Sequence, residues 1–314
     1  MEKRIYLMLA GVVISWGLNV VAVKYLTEQA PMFSVAALRI IFAALAMLPF
    51  VWKGYGWFKL NARQWILIFL IGLTSVFINQ IFLVWGLALT SAINAALILG
   101  LNPLSTALLA AIFLGEGLGW RLIAGIVLGF TGVVLAVASK SAEGGIAVAG
   151  WGDLVVLGSM LSYVIGSLFV KKLAGRIPAL VITAYSTAIG AAMLGAADLG
   201  IYGARAFTSI DGDAFFWILM LFSAWVATAL GNLGWNYGIQ MLGAGRTAIF
   251  LNGLPFAGMA GAFLFLGEHL HWIHAFAFAL TAAGIMLALH KRSGTGHTSK
   301  PSKPAKPKTP QLTS

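Results

Sequence analysis

Residues 102–120 read NPLSTALLAAIFLGEGLGW, and 152 positions later residues 254–272 read LPFAGMAGAFLFLGEHLHW. The two copies share a proline, a Leu-Gly-Glu triplet and a tryptophan without a gap, namely Pro103 with Pro255, Glu116 with Glu268, and Trp120 with Trp272. In each copy the proline stands within an apolar run, where it removes a backbone hydrogen bond and bends the helix. Two interrupted hydrophobic segments at corresponding positions of two halves are typical of the binding sites of membrane transporters.

The composition excludes a water-soluble protein. Apolar residues make up 60% of the 314 residues and charged residues only 9%, with a mean hydropathy of +0.93, whereas soluble domains carry about 25% charge. A helix needs about 20 mostly apolar residues to cross a bilayer. The apolar runs are long and continuous rather than alternating, so they predict helices rather than a barrel. The chain has no cysteine, which excludes disulfides and cysteine-ligated metal sites.

Ten apolar runs follow one another along the chain, and we call them spans 1 to 10: 5–26, 31–52, 65–87, 93–114, 119–139, 151–173, 178–199, 214–238, 245–266 and 271–290. The first run is long and lacks a small-residue cleavage site, so we expect a retained helix rather than a signal peptide. Of the 20 Lys and Arg residues, all but four fall on the side of the N-terminus. Because basic residues accumulate on the cytoplasmic side, both termini are predicted to be cytoplasmic. The net charge of +11 then reflects topology rather than nucleic-acid binding.

The repeat also covers the front of each half, where the offset is 147. Lys24 aligns with Lys171 and Pro31 with Pro178, and the change to 152 falls in the loop before span 8. Because each unit holds five helices, an odd number, the second unit enters the membrane from the opposite side. Inverted repeats of this kind bind substrate near the midplane and work by alternating access. The predicted units are a first five-helix repeat at 1–139, a connecting loop at 140–149, a second, inverted repeat at 150–290 and a basic tail at 291–314.

The tail after span 10 is rich in lysine and proline. Such a composition cannot bury a core, so the tail is predicted to be disordered. It acts either as a solvated segment that reinforces the orientation or as a tether to anionic lipid.

These features together resemble the drug/metabolite transporter (DMT) superfamily, specifically its EamA-type exporters. The resemblance covers about residues 5–290. It rests on the order and duplication of the motifs: the opening Ser15-Trp16-Gly17-Leu18-Asn19, Arg39 inside span 2, the proline and Leu-Gly-Glu of spans 4 and 9, and the glycine-spaced spans 5 and 10. It implies an all-α, ten-helix protein of the cell inner (plasma) membrane. Such a protein exports amino acids or related metabolites through a central cavity, which is lined chiefly by spans 1, 3, 4, 6, 8 and 9. The halves differ where Arg39 meets Ser186 and where Asn102 meets Leu254, as an asymmetric ligand requires.

Polar and aromatic residues inside the spans are the candidate substrate-binding residues, because intramembrane polarity usually faces the bundle interior or a cavity. An amide offers donors and an acceptor without a fixed charge, which suits a zwitterion or a sugar, and aromatic rings would enclose an organic substrate. The alternatives are interhelical hydrogen bonding for the amides and ordinary packing for the rings. The candidates are Trp16, Asn19, Asn79, Gln80, Trp85, Asn102, Tyr163, Asn232, Trp235, Asn236 and Asn252.

A second group of residues is predicted to act in gating or in the structure. Arg39 lies within span 2, where an unpaired charge costs several kcal/mol. It could bind a substrate carboxylate, hold a backbone carbonyl or extend to the interface, and a structural or gating role is favoured. Pro103 and Pro255 interrupt spans 4 and 9. Glu116 and Glu268 either cap the next helix or form a gate pair, and capping is the more common outcome.

The acidic residues all fall in loops or near the ends of the spans. Proton-coupled antiporters usually place a carboxylate in the membrane interior, so coupling to protons is not supported. Gly125, Gly129 and Gly132 on span 5 allow close contact with a neighbouring helix.

No catalytic machinery is recognisable in the sequence. There is no phosphate-binding glycine loop and no Ser-His-Asp set, and the three histidines that crowd the start of span 10 lack a standard metal-ligand spacing. We therefore expect no enzyme, no metal and no cofactor. The expected partners are a small-molecule substrate and membrane lipid but not nucleic acid, and a homodimer is left open. The alternative function is a polytopic channel or lipid scramblase without a discrete metabolite site. That function requires a continuous polar stripe along several helices, which is not seen.

Overall fold

The computed structural model describes residues 2–56, 58–114, 119–144, 146–203, 210, 212–242, 247 and 249–289. Within these ranges the secondary structure is entirely helical, without strands. The α-helices are α1 (Glu2–Gln29), α2 (Met32–Tyr55), α3 (Ala62–Ile71), α4 (Asn79–Leu89), α5 (Ala92–Leu99), α6 (Asn102–Leu114), α7 (Trp120–Gly144), α8 (Ile146–Leu173), α9 (Ala179–Tyr202), α10 (Ala214–Leu221), α11 (Gly231–Leu242), α12 (Gly253–Leu266) and α13 (Trp272–Leu289). Two π-helical segments, π1 (Gly72–Ile78) and π2 (Phe222–Leu230), and a 3₁₀ turn (Ile249–Asn252) complete the described structure.

The helices have the dimensions and surface of an integral membrane protein. In the part of the chain that the structure describes, seven helical stretches are long and apolar enough to cross a bilayer, and three shorter apolar helices accompany them. Large apolar side chains project outward, among them Phe50, Leu264 and Phe265, each about two-thirds exposed or more. Polar groups such as Arg39 and Ser223 are fully buried. An apolar exterior around a partly polar interior suits hydrocarbon as the surrounding solvent.

The helices pack in pairs whose directions follow from their contacts. We call the end of the bundle at which α1 begins the near end, and the end at which α1 terminates the far end. Helices α1 and α12 run parallel, because Gly17 contacts Gly258 while Val21 contacts Gly261. Antiparallel packing joins α2 with α9, α4 with α8, and α7 with α13.

Glycines allow the backbones of α7 and α13 to approach closely, as their spacing in span 5 predicts. A Cβ added at Gly125 would lie 2.4 Å from the carbonyl oxygen of Gly284. One added at Gly132 would lie 2.6 Å from that of Ala277. Close backbone approach through small residues is how membrane helices gain packing energy without a hydrophobic driving force.

Spans 3 and 8 each contain a π-helical segment that sequence reasoning did not identify. Segments π1 and π2 occupy corresponding positions of the two halves, since Ile78 and Leu230 are 152 residues apart. A π-helical turn inserts an extra residue into the hydrogen-bonded ladder and occurs frequently at functional sites. It turns the side chains beyond it to a different face, so the pattern of apolar residues alone does not show which face meets the bundle interior.

Spans 4 and 9 are interrupted, as the prolines predict, but the interruption precedes each proline. Gly100 and Leu101 separate α5 from α6, and Pro103 follows in the first turn of α6, where its missing N–H costs nothing. In span 9 the 3₁₀ turn precedes α12, and Pro255 lies in the first turn of α12. The two interruptions touch, because a Cβ added at Gly100 would lie 2.3 Å from Cγ of Pro255.

Candidate functional site

A cavity of about 40 Å³ lies in the near half of the bundle, and we call it the near cavity. Its walls come from π1 and the end of α3, the last turns of α8, the first turns of α9, and α11. None of the described side chains that line it carries a formal charge. The polar lining consists of hydroxyl and amide groups, and two aromatic rings close it: Ser75, Ser167, Thr183, Ser186, Thr187, Asn232 and Asn236, with Tyr163 and Trp235.

Four predicted substrate-binding residues meet in the near cavity: Tyr163, Asn232, Trp235 and Asn236. The amide of Asn236 donates to the hydroxyl of Thr183 at 2.6 Å, which orients it across the cavity between α11 and α9. The cavity has room for a few water molecules. The surrounding helices must therefore separate further to admit an organic substrate.

Trp16 of α1 packs against the two aromatic rings of the near cavity. Its ring lies 5.2 Å from the ring of Trp235 and 6.3 Å from that of Tyr163, measured between centroids. Its indole Nε1 donates to the backbone carbonyl of Ala227 at 2.8 Å. Because the indole donor is satisfied, the ring is held in place as an aromatic wall.

A continuous chain of hydrogen bonds crosses the bundle on the far side of these rings. The guanidinium of Arg39 donates through Nε to the hydroxyl of Ser223, and through Nη1 to Oε1 of Gln80 at 3.2 Å. The hydroxyl of Ser223 donates to Oδ1 of Asn19. Nε2 of Gln80 donates to Oδ1 of Asn79 at 3.2 Å. We call the set Asn19, Arg39, Asn79, Gln80, Ser159 and Ser223 the polar chain.

Asn79 joins the polar chain to α8. Its amide donates to the carbonyl of Ser159 at 3.0 Å and to the hydroxyl of Ser159 at 2.9 Å. The same hydroxyl donates back to the carbonyl of Asn79 at 2.9 Å. This reciprocal set is an interhelical connection of the kind that holds membrane bundles together.

Arg39 is fully buried and has only neutral partners. Its relative exposure is 0%, so the side chain does not extend to an interface. Within the described ranges no carboxylate forms an ion pair with it, and Nη2 has no hydrogen-bond partner. Leaving a charged donor buried and unsatisfied costs free energy, so Nη2 is available to bind an anion.

Glu268 caps a helix, although not the one that follows it. Its two carboxylate oxygens accept the backbone N–H groups of Ala92 at 2.7 Å and Ile93 at 3.0 Å. These are the first two residues of α5, which belongs to the other half of the chain, whereas α13 is the helix that follows Glu268. The carboxylate thus connects the end of α12 to the start of α5 at the far end. Its repeat partner Glu116 lies outside the described residues.

The remaining predicted residues lie apart from the near cavity. Asn102 accepts the hydroxyl of Thr106 at 3.2 Å within its own helix. Trp85 is half-buried on α4, and it is not among the residues that line the cavity. Oδ1 of Asn252 is buried at the start of α12, without a partner among the described residues. Pro103 and Pro255 begin the broken halves of their spans rather than line the cavity.

Several residues of the site escaped sequence reasoning. Ser159 and Ser223 are single hydroxyls within apolar runs, where serine often bonds to its own helix and gives no specific signal. Asp198 stands near a helix end as expected, yet its side chain has 0% exposure and accepts the hydroxyl of Ser34 at 2.8 Å. Of these residues, only Ser186 of the near cavity could have been singled out from the sequence, because it aligns with Arg39 across the repeat.

A larger depression of about 600 Å³ lies at the far end, between α1, the start of α5 and the start of α13. Lys24, Glu268 and His269 line it, but the Glu268 carboxylate is already engaged by α5. Among the described residues no group of three or more His, Asp or Glu side chains could hold a metal ion. The near cavity is the better candidate because several predicted polar and aromatic residues meet there.

Known proteins with similar sequences are transporters. The chain is 30% identical over 291 residues to "Uncharacterized transporter YyaM" of Bacillus subtilis strain 168, covering 91% of this chain and 93% of that protein. It is 27% identical to "Probable amino-acid metabolite efflux pump" of Salmonella typhimurium strain LT2, covering 88% and 91% of the two chains. It is also 27% identical to "Probable terminal-alkyne amino-acid exporter" of Streptantibioticus cattleyicolor, covering 74% and 76%.

The fold is also found among solved structures. One crystal structure superposes with a TM-score of 0.66 at 18% sequence identity, covering 91% of this chain and 98% of the other. The model of the EamA-like transporter family matches residues 3–138 and residues 150–290. This protein is therefore not an enzyme but an integral membrane transporter, and it belongs to the EamA-like transporter family of the drug/metabolite transporter superfamily.

Proposed function

We propose that the protein is a secondary transporter that exports small organic metabolites, most directly amino acids or their derivatives, from the cytoplasm by alternating access. The observation that carries the proposal is the near cavity, where uncharged hydroxyl and amide groups face two aromatic rings. Such a lining can satisfy an ammonium and a carboxylate at once without favouring either charge. The names of two relatives, an amino-acid metabolite efflux pump and an amino-acid exporter, agree with this substrate class.

The proposed topology has ten spans in two inverted five-helix repeats, 1–139 and 150–290, with both termini in the cytoplasm of a cell whose inner membrane holds the protein. The near end is then the cytoplasmic end, and the near cavity faces the compartment from which substrate is taken. The asymmetry of the basic residues supports this orientation. The parallel packing of α1 with α12 supports ten spans, because spans 1 and 9 then cross in the same direction.

A discrete transporter site also fits the structure better than a continuous channel or a lipid scramblase. None of the polar-chain residues lines the near cavity, and they are hydrogen-bonded to one another between the helices. Conduction by a channel requires a path open at both ends, whereas alternating access requires that one side be closed. The closed far side is therefore the expected state of a transporter that is open, or opening, toward the near end.

The test is an uptake panel in proteoliposomes. Purified protein is reconstituted, and tritiated amino acids, amino-acid amides and sugars are each measured with and without an imposed pH gradient. We expect saturable flux of at least one amino acid above protein-free vesicles. The comparison with and without the gradient shows whether protons are coupled to transport. If no compound of the panel moves faster than in protein-free vesicles, the proposed function is wrong.

A further inference from the structure

The near cavity has a counterpart in the far half of the bundle, related to it by the internal repeat. At the offset of 147, Tyr163 corresponds to Trp16 and Ser186 to Arg39. At the offset of 152, Asn232 corresponds to Gln80. The same shift relates Ile71, which lines the near cavity, to Ser223 of the polar chain. We call the far-side counterparts of the cavity-lining residues the far half-site.

The far half-site is closed in this structure. Arg39 and Ser223 are fully buried and bonded to each other. Many of its apolar members belong to one packed hydrophobic cluster and are at most 8% exposed, among them Val20, Ala36, Ile40, Leu83, Val84 and Leu87. Equivalent positions therefore line a small cavity in one half of the repeat, whereas in the other half they take part in hydrophobic packing and in the polar chain. Inverted repeats that alternate between two states show this difference at any one moment.

The two half-sites differ in chemistry at one position above all. The near cavity has the hydroxyl of Ser186 where the far half-site has the guanidinium of Arg39. Thr183 and Asn236 of the near cavity correspond to Ala36 and Val84. The far half-site thus combines mostly apolar side chains with a single positive charge and its neutral partners Ser223 and Gln80, whereas the near cavity is polar and neutral.

The free Nη2 of Arg39 identifies the ligand group that the far half-site would bind. In the closed state the guanidinium is held by the neutral oxygens of Ser223 and Gln80, and Nη2 has no partner among the described residues. A guanidinium presents a planar fork whose geometry matches a carboxylate bidentately. A carboxylate there would satisfy the free donor and neutralise a buried charge, which no partner in the described ranges does.

We propose that the far half-site is the second half of the substrate pathway and that Arg39 binds the carboxylate of the substrate there. This inference rests on the proposed function and deepens it, because it requires substrates that carry a carboxylate. Opening the far side separates Arg39 from Gln80 and Ser223, and the incoming carboxylate replaces those two partners. A substrate without a carboxylate leaves the charge unpaired among mostly apolar side chains, so it is rejected.

Thiol accessibility tests the far half-site without reference to substrate. The chain has no cysteine, so a single introduced thiol is the only target. Ala36 and Ala37 are adjacent on α2, both have 0% exposure and both pack in the same cluster, but only Ala36 aligns with a cavity-lining residue. A membrane-impermeant methanethiosulfonate is added to the far side of Ala36→Cys and of the matched control Ala37→Cys. We expect Ala36→Cys to react at least about tenfold faster, because a minor far-open state exposes it alone.

Selectivity tests the role of Arg39. Tritiated L-leucine and L-phenylalanine are compared with their carboxamides in proteoliposomes of the wild type, Arg39→Gln and Arg39→Lys. We expect the wild type to prefer each acid over its amide by about 10- to 100-fold, the value of a charge-assisted hydrogen-bonded pair. Arg39→Gln should abolish that preference and Arg39→Lys should keep part of it. If Arg39 had only a structural role, its replacement would lower the flux of acid and amide equally.

The outcomes separate this inference from the proposed function. Wild-type protein that moves amides as well as acids overturns the assignment of Arg39, even if the variants do not fold. Measurable flux together with equal labelling of Ala36→Cys and Ala37→Cys overturns the far half-site while the proposed function stands. If neither leucine, phenylalanine nor any compound of the wider panel is transported, the proposed function fails instead.

Discussion

Replacing Gly17 by alanine tests the packing of α1 against α12 on which the positions of Trp16 and Asn19 depend. The added Cβ would lie 2.6 Å from Cβ of Ala257, 2.7 Å from the backbone nitrogen of Gly258 and 2.9 Å from the carbonyl oxygen of Leu254. Two of these three atoms belong to the backbone, which cannot move aside as the end of a flexible side chain can. The two helices would have to separate.

The magnitude follows from a matched control on the same helix. Gly11 is exposed, and a Cβ added there has nothing within 4 Å. Both Gly→Ala changes gain about 1 kcal/mol of helix propensity, so their difference isolates the overpacking, which costs about 1–3 kcal/mol. We therefore expect Gly17→Ala to be less stable than Gly11→Ala by about 1–3 kcal/mol, a factor of about 5 to 150 in the ratio of folded to unfolded protein.

The assay is reversible unfolding in mixed micelles of detergent and increasing sodium dodecyl sulfate, followed by tryptophan fluorescence. Proteoliposome flux is measured on the same preparations, and it should fall in Gly17→Ala because Trp16, which packs against Trp235 and Tyr163 of the near cavity, is displaced. If Gly17→Ala unfolds at the same detergent fraction as Gly11→Ala, α1 and α12 are not in close contact. The reasoning about the position of Trp16 would then be wrong.

Three further comparisons test separate contacts. Gly125→Ala should be destabilised by about 1–3 kcal/mol, because its Cβ would meet a backbone carbonyl of α13 at 2.4 Å; stability equal to that of Gly11→Ala in the same unfolding assay would contradict the contact. Asn79→Leu removes the hydrogen bonds to α8 and should lower the stability by about 1 kcal/mol or more. Asn232→Leu in the near cavity should instead lower the flux with little change in unfolding. The reverse pattern would mean that Asn232 has the structural role and Asn79 the substrate-binding role. Glu268→Ala leaves two N–H groups of α5 without their cap and should lower the stability by about 0.5–2 kcal/mol. The control Glu28→Ala removes only a half-exposed ion pair and should lower the stability by less. Equal losses of stability would show that the cap does not stabilise α5.

Much of the architecture is readable from the sequence, because hydrophobicity and proline act locally. The apolar runs identify an all-helical membrane protein, and the family model matches residues 3–138 and 150–290. The interruption of spans 4 and 9 follows from Pro103 and Pro255, since proline cannot donate the backbone hydrogen bond that a helix interior requires. Glycine spacing likewise predicted the close contact of α7, and the Cβ positions built at Gly125 and Gly132 bear it out.

The candidate site is only partly readable in this way. Asn79 and Asn232 look alike in the sequence, each an amide within an apolar run. The structure places Asn79 in hydrogen bonds between α4 and α8, and Asn232 at the wall of a cavity. The difference comes from the rotation of each helix, and π1 and π2 change that rotation without a mark in the pattern of apolar residues.

The sequence by itself determined that this chain is a membrane protein, that residues of its two halves align at constant offsets and that one arginine lies within span 2. Those properties depend only on the composition and on the spacing of residues along the chain, so they can be inferred without knowing which residues meet in space. Only the tertiary structure decided that Arg39 is held by neutral groups from other helices with one donor free, and that Glu268 caps a helix 175 residues or so away rather than its own neighbour. Such pairings join residues distant in sequence, and they are set by which helix faces meet when the bundle packs.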